Sequence, residues 1–452
     1  MKTAVGTRWL VPTLSAVVLT VAVLQTAVIP ILDVISRQLN TSMVAVGWAV
    51  TANLIAAAAC TPLIGRIADL HNKKRVLLTV LALVTAGSLL SAMTASLPLL
   101  LVGRVLQGLA FSLYPVAVSI LREEVPAERL VGSMAVMSAM LGLGGGLGLV
   151  VTGLLMTAGA SYQRVFWLCT VVAASVLVTS ALVLPDRPHR AGGGVDWLGA
   201  VELATGLSAI LLAVTRGHFW GWLSSATLAT GAIGVAALVR WWFRSRRCTQ
   251  PLVSTRTLSH RPILLTNAAT LLVGMGLYFS FLGLTDFVKA PAGSGYGFAA
   301  SVLGTSLEFL LPGALAAAAA ALASGRLIER FGARNVVIAG AAAGAIGFTS
   351  LIAWHSAPWQ VVAAGLLTNA YISLGYGALP VLIVSHVTDD ETAVATSLNA
   401  IIRQIGAAIA AAMVGVALTP APDGLPPESG FMIIFTLGAV TAIGTIILIR
   451  KQ

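Results

Sequence analysis

Long apolar runs, separated by short polar connections, occupy most of the chain. A helix needs about 20 apolar residues to cross the hydrocarbon core of a bilayer, and fourteen runs reach that length. They lie at 10–32, 43–64, 75–96, 98–121, 130–157, 164–184, 195–215, 223–243, 262–288, 298–324, 335–354, 358–385, 391–418 and 430–449. The pattern predicts an all-α polytopic membrane protein with fourteen spans, which we number in chain order.

Composition supports the same class. The 452 residues are 58% hydrophobic and only 10% charged, whereas the surface of a soluble domain requires far more charge. The formal net charge of +11 would suit a nucleic-acid partner, but the basic residues flank apolar runs, so we expect a membrane and no nucleic acid. The first run lacks a small-residue cleavage site and is interpreted as a retained span.

The distribution of basic residues predicts the orientation. An even number of spans places both termini on one side of the membrane. Of the 27 Lys and Arg residues, 21 fall on that side, four fall on the other, and two, Arg104 and Arg403, lie within spans. Because basic loops stay in the cytoplasm, we expect a multi-pass cell-membrane protein with both termini cytoplasmic.

The chain contains a repeat. A polar segment after the second run, Gly65–Arg75, returns after the tenth run as Gly325–Arg334. The longest polar connections follow the sixth and eighth runs, so the two runs between them belong to neither half. We therefore predict a six-helix bundle at 1–190, a two-helix linker at 191–260 and a second six-helix bundle at 261–452.

The repeated segment resembles the signature loop of the major facilitator superfamily. It carries a glycine, an acidic residue and a basic cluster in the family's order, with Asn72 in place of the second glycine. Asparagine tolerates the left-handed backbone better than most residues. The resemblance implies a gating role, in which Asp69 caps the first turn of span 13 at 391–396; an ordinary basic loop is the alternative. The predicted gating residues of the two loops are Gly65, Asp69, Lys73 and Glu329.

Span 4 carries a second resemblance. Its Arg104 and Gln107 match an arginine–glutamine pair of the same superfamily, in which the arginine is thought to take part in proton coupling. A charged side chain in hydrocarbon is costly, so Arg104 must face protein or water. The alternative is a structural arginine that hydrogen-bonds backbone carbonyls between spans.

Span 5 is rich in glycine. Gly144, Gly148 and Gly153 resemble the antiporter motif of the fourteen-span drug:proton antiporter branch, with Leu149 and Thr152 replacing a proline and a glycine. Small residues let helices approach closely. The resemblance implies a gating role for these glycines in close packing of the two halves, and tight packing with no role in transport is the alternative.

The acidic residues depart from that branch. Its first-span aspartate is absent from 23–27, and Asp33 falls near the outer face. Glu308 lies about ten residues into the predicted span 10, where a carboxylate suits proton loading and release. We predict that Glu308 carries the coupling proton, together with Arg104 and Arg403; a static Glu308–Arg403 pair is the alternative.

The resemblance to this branch implies a secondary active transporter that exports amphipathic small molecules, as in multidrug efflux and antibiotic resistance, by proton antiport and alternating access. The alternatives are a dedicated exporter of one metabolite or lipid and a transporter-like sensor. We expect no enzyme, cofactor or metal, because no nucleophile–base, metal or phosphate-loop constellation is present. The expected partners are the substrate, protons and membrane lipid, and the protein is expected to be a monomer. The predicted substrate contacts are Gln25, Asn53, Gln107, Asn369 and Tyr371.

Overall fold

The structure, a computed structural model, describes residues 4–156, 160–187, 194–248, 251–253, 258–301, 304–388, 391–418 and 426–452. Regular structure within those residues is helical, and fourteen helices there are long and apolar enough to cross a membrane. The spans are Trp9–Gln38, Trp48–Leu70, Lys73–Met93, Leu97–Glu124, Glu128–Leu155, Gln163–Val183, Trp197–Gly217, Ser225–Ser245, Arg261–Lys289, Leu307–Phe331, Ala333–Ala353, Pro358–Val384, Thr392–Ala417 and Glu428–Arg450. The predicted fold class is confirmed.

Two spans are interrupted. Span 1 consists of the helix Ala4–Thr26, a short 3-10 turn and the helix Leu32–Gln38. Span 4 consists of the helices Leu97–Gly108 and Leu113–Glu124, joined by the 3-10 turn Leu109–Ser112. A 3-10 turn tightens the helix locally, so the two halves of span 4 present different faces to their neighbours.

Span 10 starts later than predicted. The apolar run begins at 298, but Gly295, Gly297 and Ala299 have positive φ angles of 81°, 77° and 49°, which a helix cannot accommodate. A π-helical turn, Thr305–Leu310, leads instead into the helix Leu311–Phe331. Glu308 is therefore the fourth residue of this π-helical turn, and not about the tenth residue of a helix that begins at 298.

Contacts divide the chain into two compact units. Unit 1 contains Met1–Ser259 and Val387–Ile401, and unit 2 contains His260–His386 and Ile402–Gln452. Spans 7 and 8, predicted as a separate linker, fall within unit 1. The beginning of span 13 also falls within unit 1, whereas the rest of that helix belongs to unit 2.

Spans 7 and 8 form a hairpin held by charges. Arg244 of span 8 bonds to Asp196 and to Glu202, each at 2.7 Å, and Arg240 bonds to Glu202 at 2.7 Å. Burial favours a raised pKa for Asp196, but hydrogen bonds from Arg244 and from the Gly199 backbone outweigh it and hold that pKa below the ordinary value. Both carboxylates are nearly inaccessible, so this clasp is a fully paired charge cluster.

Candidate functional site

Asp69 holds the first turn of span 13. Its carboxylate oxygens accept hydrogen bonds from the backbone N–H groups of Ala393 at 3.1 Å and Val394 at 3.0 Å. The N–H groups of a first turn have no partner within their helix, and the helix dipole favours negative charge beside them. The Ser119 hydroxyl donates a further bond to Asp69 at 3.3 Å. The predicted capping contact at 391–396 is confirmed; its role in gating stays a prediction.

Gly65 lies one turn before Asp69 and touches the same part of span 13. A methyl group at Gly65 would lie 3.0 Å from the Ala393 carbonyl oxygen and closer still to the Ser397 hydroxyl. Helices approach this closely only where a small residue removes the side chain from the contact. The glycine thus brings span 2 near enough for the Asp69 carboxylate to reach the backbone.

Arg122, which the sequence analysis counted only as a cytoplasmic positive charge, is part of the same site. Its guanidinium donates to the Val387 carbonyl at 3.0 Å, to the Thr392 hydroxyl at 2.5 Å and to the Thr388 carbonyl at 3.4 Å. Arg122 lies in the last turn of span 4, where a positive charge is favourable in any helix because it complements the helix dipole. Nothing in the sequence around Arg122 indicates that its side chain hydrogen-bonds to a segment about 270 residues away. We call Gly65, Asp69, Ser119, Arg122 and their partners at 387–388 and 391–397 the capping site.

Lys73 and its neighbour fasten the ends of three spans beside the capping site. Lys73 forms an ion pair with Glu123, at the end of span 4. Lys74 donates to the Leu184 carbonyl oxygen at 2.5 Å, just after span 6. The two lysines thus join the ends of spans 3, 4 and 6.

Asn72 caps the first turn of span 3. Its φ of −62° and ψ of 108° are those of an extended N-cap, and its Oδ1 accepts a bond from the Arg75 N–H at 3.0 Å. Its Nδ2 donates to Asp186 Oδ1 at 2.5 Å. Asn72 therefore replaces the second glycine of the motif without a left-handed backbone, because its side-chain amide caps the first turn of span 3.

Among the described residues, the acidic residue of the second signature loop, Glu329, has no contact comparable to that of Asp69. Gly332 keeps the positive φ, at 80°, between spans 10 and 11. Glu329 is exposed and makes no hydrogen bond or ion pair with the residues that the structure describes. The two loops therefore match in sequence and differ in their surroundings, and no contact in this structure supports the gating role predicted for Glu329.

Arg104 is the centre of a buried network in unit 1. The guanidinium donates from Nε to the Ala49 carbonyl at 2.9 Å and from Nη1 to Gln107 Oε1 at 2.6 Å. Gln107 in turn donates to the Ser88 hydroxyl at 2.8 Å, and Asn53 Nδ2 donates to the Arg104 carbonyl at 3.0 Å. Arg104 is only 1% exposed. This geometry matches the structural alternative, and the role in proton coupling stays a prediction.

The residues predicted to touch substrate fall into two groups. Asn53 and Gln107 belong to the Arg104 network, and Tyr371 is fully buried, with its hydroxyl 3.0 Å from that of Thr445. Gln25 is half-buried, and half-buried Asn369 donates to the carbonyl of the preceding helical turn at 2.9 Å. Gln25 and Asn369 alone among the five retain exposed surface for a ligand in this structure.

The glycines of span 5 also behave differently from one another. A methyl group on Gly144 would lie 2.7 Å from the Leu19 carbonyl, and one on Gly148 would lie 3.1 Å from the Val23 carbonyl. Gly153 is exposed, with no described atom within 4 Å of an added methyl group. Gly144 and Gly148 thus permit close packing of span 5 on span 1 within unit 1, whereas Gly153 has no such function here.

Glu308 and Arg403 are not paired. Glu308 is exposed and makes no ion pair or hydrogen bond among the described residues. The Arg403 guanidinium instead lies over the ring of Tyr376, with Cζ 4.4 Å from the ring centroid. The static Glu308–Arg403 bridge is therefore not formed in this structure.

Fourteen helical spans with buried polar networks, and a carboxylate that caps one helix from another, define a multi-pass membrane transport protein. The chain belongs to the Major Facilitator Superfamily, whose family description matches residues 14–411. The resemblance inferred from the loops is thereby confirmed. The protein is a transporter of small molecules and not an enzyme.

Relatives of known name agree with this membership. The tetracenomycin C resistance and export protein of Streptomyces glaucescens is 28% identical over 435 residues, covering 94% of this chain and 78% of that protein. The cephamycin export protein of Amycolatopsis lactamdurans is 29% identical over 441 residues, covering 94% and 88%. The uridine/deoxyuridine transporter of Lactococcus lactis subsp. cremoris is 27% identical over 395 residues, covering 84% and 80%.

A solved structure has the same fold. The crystal structure of the human organic anion transporter MFSD10 aligns with a TM-score of 0.68, covering 98% of this chain and 99% of that one. The sequence identity is 16%, so the likeness concerns the fold alone.

Proposed function

We propose that this transporter exports amphipathic small molecules from the cell by proton antiport, through alternating access. The observation that carries the proposal is the capping site, where the Asp69 carboxyl group holds the first turn of another span. Two relatives are named for the export of tetracenomycin C and of cephamycin, which supports export. We further propose that the end bearing Lys73 and Arg122 is cytoplasmic and that the protein works as a monomer in the cell membrane.

The capping site would act as a breakable latch. A side-chain cap stabilises a helix end by about 0.5–2 kcal/mol, and about 1.4 kcal/mol changes an equilibrium tenfold. Such a contact is strong enough to favour one conformation and weak enough to break in every cycle. We propose that it forms when the cytoplasmic side is closed and is lost when that side opens.

Proton coupling is proposed for Glu308, supported by Arg104 and Arg403. Glu308 is an exposed carboxylate at the beginning of span 10, near the end of the span that we take to face outward. A group there can exchange protons with the outer medium. A proton carrier buried about ten residues into span 10, as the sequence predicted, would have to be shielded from solvent. Glu308 is exposed.

A second candidate is a transporter dedicated to one polar metabolite. The relative named for uridine and deoxyuridine supports it, as do the half-buried amide side chains of Gln25 and Asn369, which can hydrogen-bond a polar ligand. Inside-out vesicles distinguish the two candidates: a pH gradient should drive uptake of an amphipathic dye, and a protonophore should abolish it. Gradient-driven uptake of uridine with no uptake of dyes would favour the second candidate.

A further inference from the structure

Span 7, the first of the two additional spans, touches span 2, which carries part of the capping site. Arg216, near the end of span 7, places its guanidinium carbon 3.9 Å from the centroid of the Trp48 ring. Arg216 is 2% exposed, and a cation over an aromatic face is most strongly attracted when both are removed from water. Trp48 is the first residue of span 2.

A second arginine holds the next residue. Arg104 of span 4 donates to the carbonyl oxygen of Ala49 at 2.9 Å. The first turn of span 2 is therefore held from outside, by Arg216 through a side chain and by Arg104 through the backbone.

Span 2 connects these two arginine contacts to the capping site. Its first turn carries Trp48 and Ala49, and its last two turns carry Gly65 and Asp69. At 1.5 Å per residue, the axial distance from Trp48 to Asp69 is about 32 Å. A displacement of the first turn that tilts span 2 would move Asp69 relative to Ala393 and Val394.

We propose that Arg216 is a positioning residue for transport: by stacking on Trp48, the hairpin of spans 7 and 8 braces span 2 and keeps Asp69 in register with the first turn of span 13. The role of the brace in the transport cycle rests on the proposed function. Arg216 acts through Trp48 and does not need to touch the substrate.

Hydrogen exchange of the purified full-length protein tests the brace without transport. In the peptide 391–397, Arg216→Gln should raise amide exchange roughly threefold or more. Arg240→Gln is the matched control, because Arg240 belongs to the same hairpin but pairs with Glu202. Trp48→Leu should reproduce the effect of Arg216→Gln, and it provides the test where Arg216→Gln does not fold. Exchange at 391–397 that stays at the wild-type level in the variants that fold would overturn the proposal.

Transport kinetics add a second readout. We expect Arg216→Gln to lower the maximal rate and leave KM unchanged, because the brace governs cycling and not substrate contact. A raised KM with an unchanged maximal rate would contradict positioning through span 2. Amide exchange at 391–397 could rise in Arg216→Gln while even the wild-type protein shows no gradient-driven export. That result would support the positioning role of Arg216 and refute the proposed function.

Discussion

At the scale of single residues, Asp69 and Glu329 show how surroundings decide the use of a side chain. Both are the acidic residue of a signature loop, but Asp69 accepts two backbone hydrogen bonds at 3.0–3.1 Å, whereas Glu329 is exposed. A loop motif specifies residue types and spacing. It does not specify which helix end lies opposite, and that neighbour gives Asp69 its contact.

The span 5 glycines give a prediction at this scale. Gly148→Leu should reduce transport and lower stability by about 1–3 kcal/mol, because overpacking forces span 5 away from Val23 on span 1. Gly148→Ala should be milder. Gly153→Leu is the control and should resemble wild type, since Gly153 has open space around it. Thermal unfolding and vesicle uptake measure both effects, and equal results for Gly148→Leu and Gly153→Leu would contradict the packing assignment.

Glu308 gives a second prediction. Glu308→Gln should fold at the wild-type level, because the described structure shows no partner for it to lose. It should abolish uptake driven by a pH gradient while leaving downhill exchange of substrate intact, since glutamine cannot titrate. Glu428→Gln, at the start of span 14, is the control. Full gradient-driven uptake by Glu308→Gln would exclude Glu308 as the proton carrier.

At the scale of helices, the sequence predicted which membrane spans exist better than it predicted where each span begins and ends. Apolar length alone identified the fourteen spans, because a bilayer imposes a minimum on every crossing helix. It misplaced the beginning of span 10, where apolar residues continue through a loop made by three positive φ angles. Apolarity reports the environment of a segment and not its backbone conformation, so the depth of Glu308 could not be read from it.

The hairpin clasp yields a prediction about pH. The lowered pKa of Asp196 means that its stabilising effect is complete above the ordinary aspartate pKa of about 3.9 and is lost as pH falls through the lower folded value. Thermal stability should therefore decline on acidification more in wild type than in Asp196→Asn. Asp33→Asn is the control, because the Asp33–Arg37 pair is exposed, with side chains 61% and 70% accessible. Parallel pH profiles for wild type and Asp196→Asn would refute the clasp.

At the scale of the whole molecule, the sequence alone was enough to predict the repeat and the family. It was not enough to predict the contacts that Arg122 makes in the capping site. The signature loops identified the superfamily because their glycine, acidic residue and basic cluster recur at fixed spacing. Arg122 could not be assigned, since its partners Val387, Thr388 and Thr392 lie far away in the chain. The assignment of 387–401 to unit 1 likewise depends on long-range contacts that no local pattern encodes.

The central claim is that the Asp69 cap, and not the signature loop in general, controls transport. The most direct measurement compares Asp69→Asn with Glu329→Gln in inside-out vesicles, at equal protein levels and with one imposed pH gradient. Asparagine keeps one acceptor oxygen but loses the charge, so we expect a severalfold loss of uptake, in line with a cap worth about 0.5–2 kcal/mol. Glu329→Gln should transport at the wild-type rate, and equal rates for the two variants, whether both normal or both impaired, would contradict the account.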